Sequence, residues 1–261
     1  MRLIDSHCHV QADRFDTDRS TVLAAARAAG VERILVPGYD LASSVASVEL
    51  LGVEPIDASA GVHPHVAADA DDRIWAAIVE LAARPEVVAV GETGLDYDRG
   101  RAPRDVQLSN LRRHLALALE TGKPAILHCR SRPGQRDAQD ELVNEIAAAG
   151  RPPALLHSFS GPVDYAERTL ELGLAISFSG LVFRTGEEPS ADVARLVPAD
   201  RLLVETDSPY LSPPGADRRR NEPRWVAITA RWLAEQRGDD PDALGEQLVA
   251  NYDRIFSRRP M

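Results

Sequence analysis

The stretch MRLIDSHCHV, residues 1–10, places Asp5, His7 and His9 two apart almost at the start of the chain. In an extended strand successive side chains point to opposite faces, so residues 5, 7 and 9 share one face while Ser6 and Cys8 share the other. Two imidazoles and a carboxylate then converge where an apolar strand ends. An isolated His-x-His is equally at home in a packed core, so the pattern acquires meaning only if it recurs.

It recurs along a regular alternation. Short β-rich runs lie at 2–10 (RLIDSHCHV), 31–39 (VERILVPGY), 56–64 (IDASAGVHP), 87–97 (VVAVGETGLDY), 124–130 (PAILHCR), 153–161 (PALLHSFSG), 174–180 (LAISFSG) and 201–211 (RLLVETDSPYL). These eight runs carry the β-branched and apolar character of strands. Between them lie helical patterns such as residues 20–30, 71–85, 107–122, 141–150 and 165–173, several ending at Gly or before Pro. Strand then helix, repeated, implies parallel pairing, and eight such units in 261 residues predict a (β/α)₈ TIM barrel of the α/β class. Two further helical patterns, 221–238 and 241–256, follow the last strand and are expected to close the barrel. A doubly wound open sheet is the competing architecture, but its G-x-G-x-x-G turn is missing. Residues 1–261 read as a single domain.

Composition narrows the function. Hydrophobic residues make up 44% and charged residues 27%, and no apolar run approaches the ~18 residues of a membrane span. With no basic-then-apolar leader at the start, the expected location is cytoplasmic. Cys8 and Cys129 are too few for a disulfide framework and read as reduced thiols. The formal net charge of −10 opposes the phosphate attraction on which a broad duplex clamp depends.

In such a barrel the active site lies where strands end on the C-terminal face. Six of the seven histidines, His7, His9, His63, His65, His128 and His157, fall in or just after the first, third, fifth and sixth strands; only His114 lies inside a helix. Glu92 ends the fourth strand and Asp207 the eighth. Imidazoles and carboxylates converging from several strands form a ligand set for Zn²⁺, Mn²⁺ or Fe²⁺, with Mg²⁺ favouring the carboxylates. Strand parity turns Cys8 and Cys129 away from their neighbouring histidines, into the barrel wall. The candidate ligands His7, His9, Glu92, His128, His157 and Asp207 exceed what one ion needs with positions left for water and substrate, so two ions fit better. Two ions need a bridge. The single lysine, Lys123, precedes the fifth strand at the wrong end of the barrel to be a carboxylated bridging lysine, which leaves Glu92.

The strings DSHCH, GVHPH, GETGLDY, LHCR, LLHSFSG, ETDSPYL and RRRNEP, in that order, resemble the TatD family of metal-dependent deoxyribonucleases, a branch of the amidohydrolase-like barrels. The resemblance spans nearly the whole chain. It implies a metal-dependent hydrolase of phosphodiester bonds, often a 3′ to 5′ exonuclease on single-stranded DNA ends. It also implies that His7 and His9 hold one metal and His128 and His157 the other, that Glu92 bridges, and that Asp207 binds metal and handles protons. Two departures stand out. Ser158 replaces the family's usual Cys, and residues 131–141 read SRPGQRDAQDE where an Asp usually follows the arginine.

Several substrate contacts are expected. His63 and His65, around the turn fixed by Pro64, read as phosphate-facing or hydrogen-bonding groups, with a purely structural role for one of them as the alternative. Arg130 suits a bidentate phosphate contact, or a surface ion pair. Phe159 and Tyr210 can stack a terminal base. The loop of Arg218 to Arg220 lies near the mouth, either solvated or against DNA. With aromatics at 5%, a short end-bound strand suits the protein better than a long groove, and a monomer is expected. The competing functions are a cyclic amidase, lactonase or aminoacyl-ester deacylase of the same barrel superfamily, and, least favoured, a non-enzymatic metal-binding scaffold. The expected cofactors are two divalent ions, Mg²⁺, Mn²⁺ or Zn²⁺.

Overall fold

The computed structural model describes residues 1–53 and 55–256. Eight parallel strands, β1 (Leu3–Asp5), β2 (Val31–Val36), β3 (Ile56–Ala60), β4 (Val87–Asp96), β5 (Ala125–Arg130), β6 (Ala154–Leu156), β7 (Ala175–Phe178) and β8 (Leu202–Val204), pair in chain order. The ring closes between its ends: the Ser6 amide donates to the Val204 carbonyl at 3.0 Å, and Cys8 bridges Ser208 in parallel. The expected (β/α)₈ barrel is the observed one.

Helices α1 (Arg19–Ala28), α2 (Leu41–Glu49), α3 (Asp72–Ala83), α4 (Arg104–Thr121), α5 (Asp137–Ala148), α6 (Val163–Glu171) and α7 (Ser190–Leu196) cover the outside, one after each of the first seven strands. After β8, α8 (Val226–Arg237) and α9 (Pro241–Ile255) pack against the first and last strands. All ten residues of β4 are buried, since barrel side chains fill one face and helices the other, so the strand does not alternate polar with apolar. Among the described residues no helix is long and apolar enough to cross a membrane.

Two local features aim the strand ends. β1 stops at Asp5, earlier than the sequence suggests, and residues 6–9 run on beyond the sheet. They are held by bonds from Cys8 N–H to Leu35 O (3.0 Å), His9 N–H to Ser208 O (2.7 Å) and Asp207 N–H to His7 O (2.9 Å). Gly94 sits at φ 140°, where a Cβ would lie 1.9 Å from the His128 carbonyl oxygen, so only glycine lets β4 approach β5 this closely beside Glu92 and His128.

Lys123 lies just before β5, and its Nζ donates to the carbonyls of Ala82 and Arg84 at 2.6 and 2.7 Å. It closes the end of α3 on the face opposite the clustered histidines, as its sequence position suggests.

Candidate metal centre

At the C-terminal mouth of the barrel the side chain of Glu92 is surrounded by imidazoles. Its Oε2 lies 3.3 Å from His7 Nε2 and 3.8 Å from His9 Nε2. Its Oε1 lies 3.0 Å from His157 Nε2, 3.3 Å from His63 Nε2 and 3.4 Å from His128 Nδ1. The two carboxylate oxygens therefore divide the histidines into two sets. Asp207 joins the first, its Oδ1 being 3.4 Å from His9 Nε2 and 3.8 Å from His7 Nε2.

Donor atoms of His7, His9 and Asp207 lie within 4.8 Å of one another, as do those of His63, Glu92 and His128. The Nε2 atoms of His7 and His9 are 3.2 Å apart, and both rings are buried with Nδ1 unpartnered. Two lone pairs at that distance repel unless a proton or a cation lies between them, and a divalent ion satisfies both. The rings of His128 and His157 are backed as metal-binding imidazoles usually are. His157 Nδ1 faces Glu205 Oε1 at 3.1 Å, and His128 Nε2 faces Asp96 Oδ2 at 3.2 Å. The donor set thus fits a divalent metal centre of mixed nitrogen and oxygen ligands.

The electrostatics agree. Burial opposes ionisation of Glu92, but the fields of His63, His157 and His7 with the His128 hydrogen bond outweigh it and hold the carboxyl well below the usual carboxylate range. For Asp207, burial is likewise overcome by its bond to His9 and by His7. Burial also works against charge on His157, yet Glu92 and Glu205 push its pKa well up. His7, buried and facing His157, is pushed down. Such a core of ionised carboxylates and strongly perturbed imidazoles marks a functional site.

Ring orientation distinguishes His63 from the candidate ligands. Its Nδ1 accepts the His65 backbone N–H at 3.1 Å, so that nitrogen carries the lone pair and Nε2 carries the hydrogen, aimed at Glu92. His63 is a donor in this turn. His65 Nε2 meets Asp96 Oδ2 at 2.6 Å.

Other expectations fare differently. Asp5 shares a sequence face with His7 and His9, but its oxygens accept from Thr206 N–H (2.9 Å) and Thr206 Oγ1 (2.5 Å), which stitches β1 to the end of β8. Phe159 is 1% exposed and packs on Tyr165 and Phe178, away from any base. Ser158, at φ 45°, is the cause: the left-handed residue breaks the strand alternation that would have put Phe159 beside His157. Arg130 Nε donates to Asp98 Oδ2 at 2.7 Å, forming the surface ion pair. Arg220 binds Asp18 and Glu222, while Arg218 and Arg219 are exposed. Tyr210 is 56% exposed, with its ring 6.2 Å from that of His9, and Tyr39 approaches the same ring at 5.5 Å.

Three participants escaped the sequence reading: Asp96, Glu205 and Tyr39. Asp96 was within reach, because residues 92, 94 and 96 share one strand face. Glu205, two before Asp207 in ETDSPYL, was within reach by the same parity, whereas Tyr39 carries no local signal and is revealed by packing.

The sequence model described as TatD related DNase matches residues 4–257. A protein of Bacillus subtilis (strain 168) named uncharacterized metal-dependent hydrolase YabD is 34% identical over 258 residues, covering 97% of this chain and 98% of its own. The 3′-5′ ssDNA/RNA exonuclease TatD of Rahnella sp. (strain Y9602) is 37% identical, with 95% and 96% covered. Among solved structures, YJJV, a TatD homologue from Escherichia coli k12, superimposes with a TM-score of 0.86 at 30% identity, covering 99% of each chain.

Proposed function

The chain belongs to the TatD-related DNase family of metal-dependent hydrolases, and from that premise we propose that it is a nuclease working on single-stranded nucleic-acid ends in the 3′ to 5′ direction. One observation carries the reading: Glu92 turns one oxygen to His7 and His9 and the other to His157 and His128. In this reading His7, His9 and Asp207 would hold one divalent ion, His128 and His157 would hold a second, and Glu92 would join them. Zn²⁺ and Mn²⁺ suit the mixed donors, and Mg²⁺ suits the carboxylates. Such ions polarise phosphoryl oxygens and make water acidic enough to attack near neutral pH.

The chain's own groups do the rest. Asp207, held ionised by His9 and His7, takes the proton of the attacking water at its carboxylate. His63 turns its Nε2 hydrogen to the Glu92 carboxylate, and His65 is oriented beside it by Asp96. Glu205 and Asp96 fix the rings of His157 and His128. Tyr210, exposed at the mouth, offers a face to the terminal base, and Arg130 exchanges Asp98 for a phosphate. The aromatic content of 5% and the net charge of −10 favour a short, end-bound strand. A monomeric, cytoplasmic enzyme whose hydrolase unit spans residues 1–261 completes the reading.

A 5′-labelled single-stranded DNA and its RNA counterpart, incubated with chelator-treated protein and then with Mg²⁺, Mn²⁺ or Zn²⁺, test it. A ladder shortened from the 3′ end that requires added metal is the expected result. Intact oligonucleotides alongside hydrolysis of a dihydropyrimidine amide or an aminoacyl ester would replace the nuclease reading by the amidohydrolase or deacylase one.

A further inference from the structure

His114 is the histidine that lies outside the cluster, inside α4 and fully buried. Its Nδ1 is 2.7 Å from the Asn110 carbonyl oxygen, and its Nε2 is 3.0 Å from the backbone nitrogen of Val62. A carbonyl only accepts and an amide N–H only donates, so the partners assign one neutral tautomer: hydrogen on Nδ1, lone pair on Nε2. Burial keeps it so, with the pKa pushed down to about 3.

One helical turn away, Asn110 Nδ2 donates to the Val62 carbonyl at 2.7 Å and to Thr93 Oγ1 at 3.2 Å. Arg113 donates to Asn110 Oδ1 at 2.8 and 3.2 Å, which fixes the direction of the amide. Both backbone groups of Val62 are therefore taken by side chains of α4. Val62 lies beyond the last residue of β3, where the strand ladder no longer supplies partners. It precedes His63, and Thr93 follows Glu92. Trp75 covers the His114 ring at 4.8 Å, and Arg113 lies over Trp75 at 4.4 Å, keeping water from substituting for these bonds.

We propose that His114 and Asn110 are positioning residues for His63: they hold the turn after β3 so that His63 presents its Nε2 hydrogen beside Glu92. This rests on the reading of the Glu92 centre as the hydrolytic site. Bulk alone does not account for a histidine here, because a leucine would fill similar space. What the imidazole adds is an acceptor for Val62 and a donor for Asn110.

The test compares His114→Leu, which removes the acceptor, with His114→Gln, whose amide can restore it, in wild-type and His63→Ala backgrounds. With a single-stranded oligonucleotide, His114→Leu is expected to lower kcat about 10-fold with KM and metal content little changed. His114→Gln should recover most of the loss. In the His63→Ala background the same leucine change should cost less than about 2-fold, because the group it positions is gone. Equal losses in both backgrounds, or no recovery with glutamine, would overturn the proposal.

Nitrogen-15 spectra of histidine-labelled, metal-free protein read the turn without turnover. A single Nε2–H tautomer for His63 in the wild type and His114→Gln, lost in His114→Leu while His7 and His9 keep their shifts, supports the proposal; an Nδ1–H tautomer in the wild type overturns it. Because the spectra need no substrate, failure of the nuclease reading and failure of this one are seen separately.

Discussion

Glu205 and His157 are joined at 3.1 Å, Oε1 to Nδ1, at the buried end of β8. With Nδ1 thus engaged, the ring turns Nε2 to Glu92 at 3.0 Å. A carboxylate behind a ligating imidazole fixes its tautomer and raises its basicity. Glu205→Gln keeps the size but not the charge, so metal affinity should fall about 10- to 100-fold, as such partners usually show. Titration of chelator-treated protein with Mn²⁺ checks this; unchanged affinity would mean that Glu205 serves the fold alone.

Asp207 adopts φ 53°, a left-handed conformation that asparagine also accepts readily. Asp207→Asn therefore isolates the charge from the turn. At saturating metal, where the amide oxygen still serves as a ligand, turnover should fall by at least ~10², the scale of general acid–base catalysis, while melting temperature stays close to wild type. Near-normal turnover in metal-loaded Asp207→Asn would remove the residue from proton transfer.

Acid stability follows from His114. Its folded pKa, about 3, lies below the ordinary value of 6.5, so the unfolded chain takes up the proton first. The stability this neutral ring confers is complete above pH 6.5 and is lost as pH falls from there toward 3, at up to ~1.4 kcal/mol per pH unit. Between pH 7 and pH 4.5 the wild type should lose roughly 2 to 3 kcal/mol more than His114→Gln, measured by urea unfolding. Equal losses would show that the ring is not held neutral.

Lys123 supplies a cation and two hydrogen bonds at the C-terminal end of α3, far from Glu92. Lys123→Met should lower stability by about 1 kcal/mol, the scale of a helix-terminus contact, and leave turnover within a few fold. A collapse of activity with unchanged melting would return the lysine to the site and displace Glu92 as the bridge.

The barrel was legible because strand-then-helix alternation and both-faces-buried strands leave a pattern in the sequence. The centre was legible because parity works across short extended segments. His7 and His9 bring their Nε2 atoms within 3.2 Å although β1 ends at Asp5, and Cys8 between them is buried in the wall. Parity failed at Phe159, where Ser158 leaves the extended region, and at Asp5, where Thr206 offers two donors that no local pattern announces. The partners of Glu205 and His114 stayed hidden for a common reason. Their roles come from contacts 48 and 52 residues away in the chain, made by the curvature of the barrel.

In the proposed reading Glu92, with histidines on both of its carboxylate oxygens, would join two divalent ions. Elemental analysis of dialysed protein after reconstitution with Mn²⁺ tests it most directly, run on the wild type and on Glu92→Gln. About two ions per wild-type chain are expected, as in two-metal hydrolytic sites, and about one or fewer in the variant. A wild type that never exceeds one ion, or a Glu92→Gln protein that retains both, would contradict it.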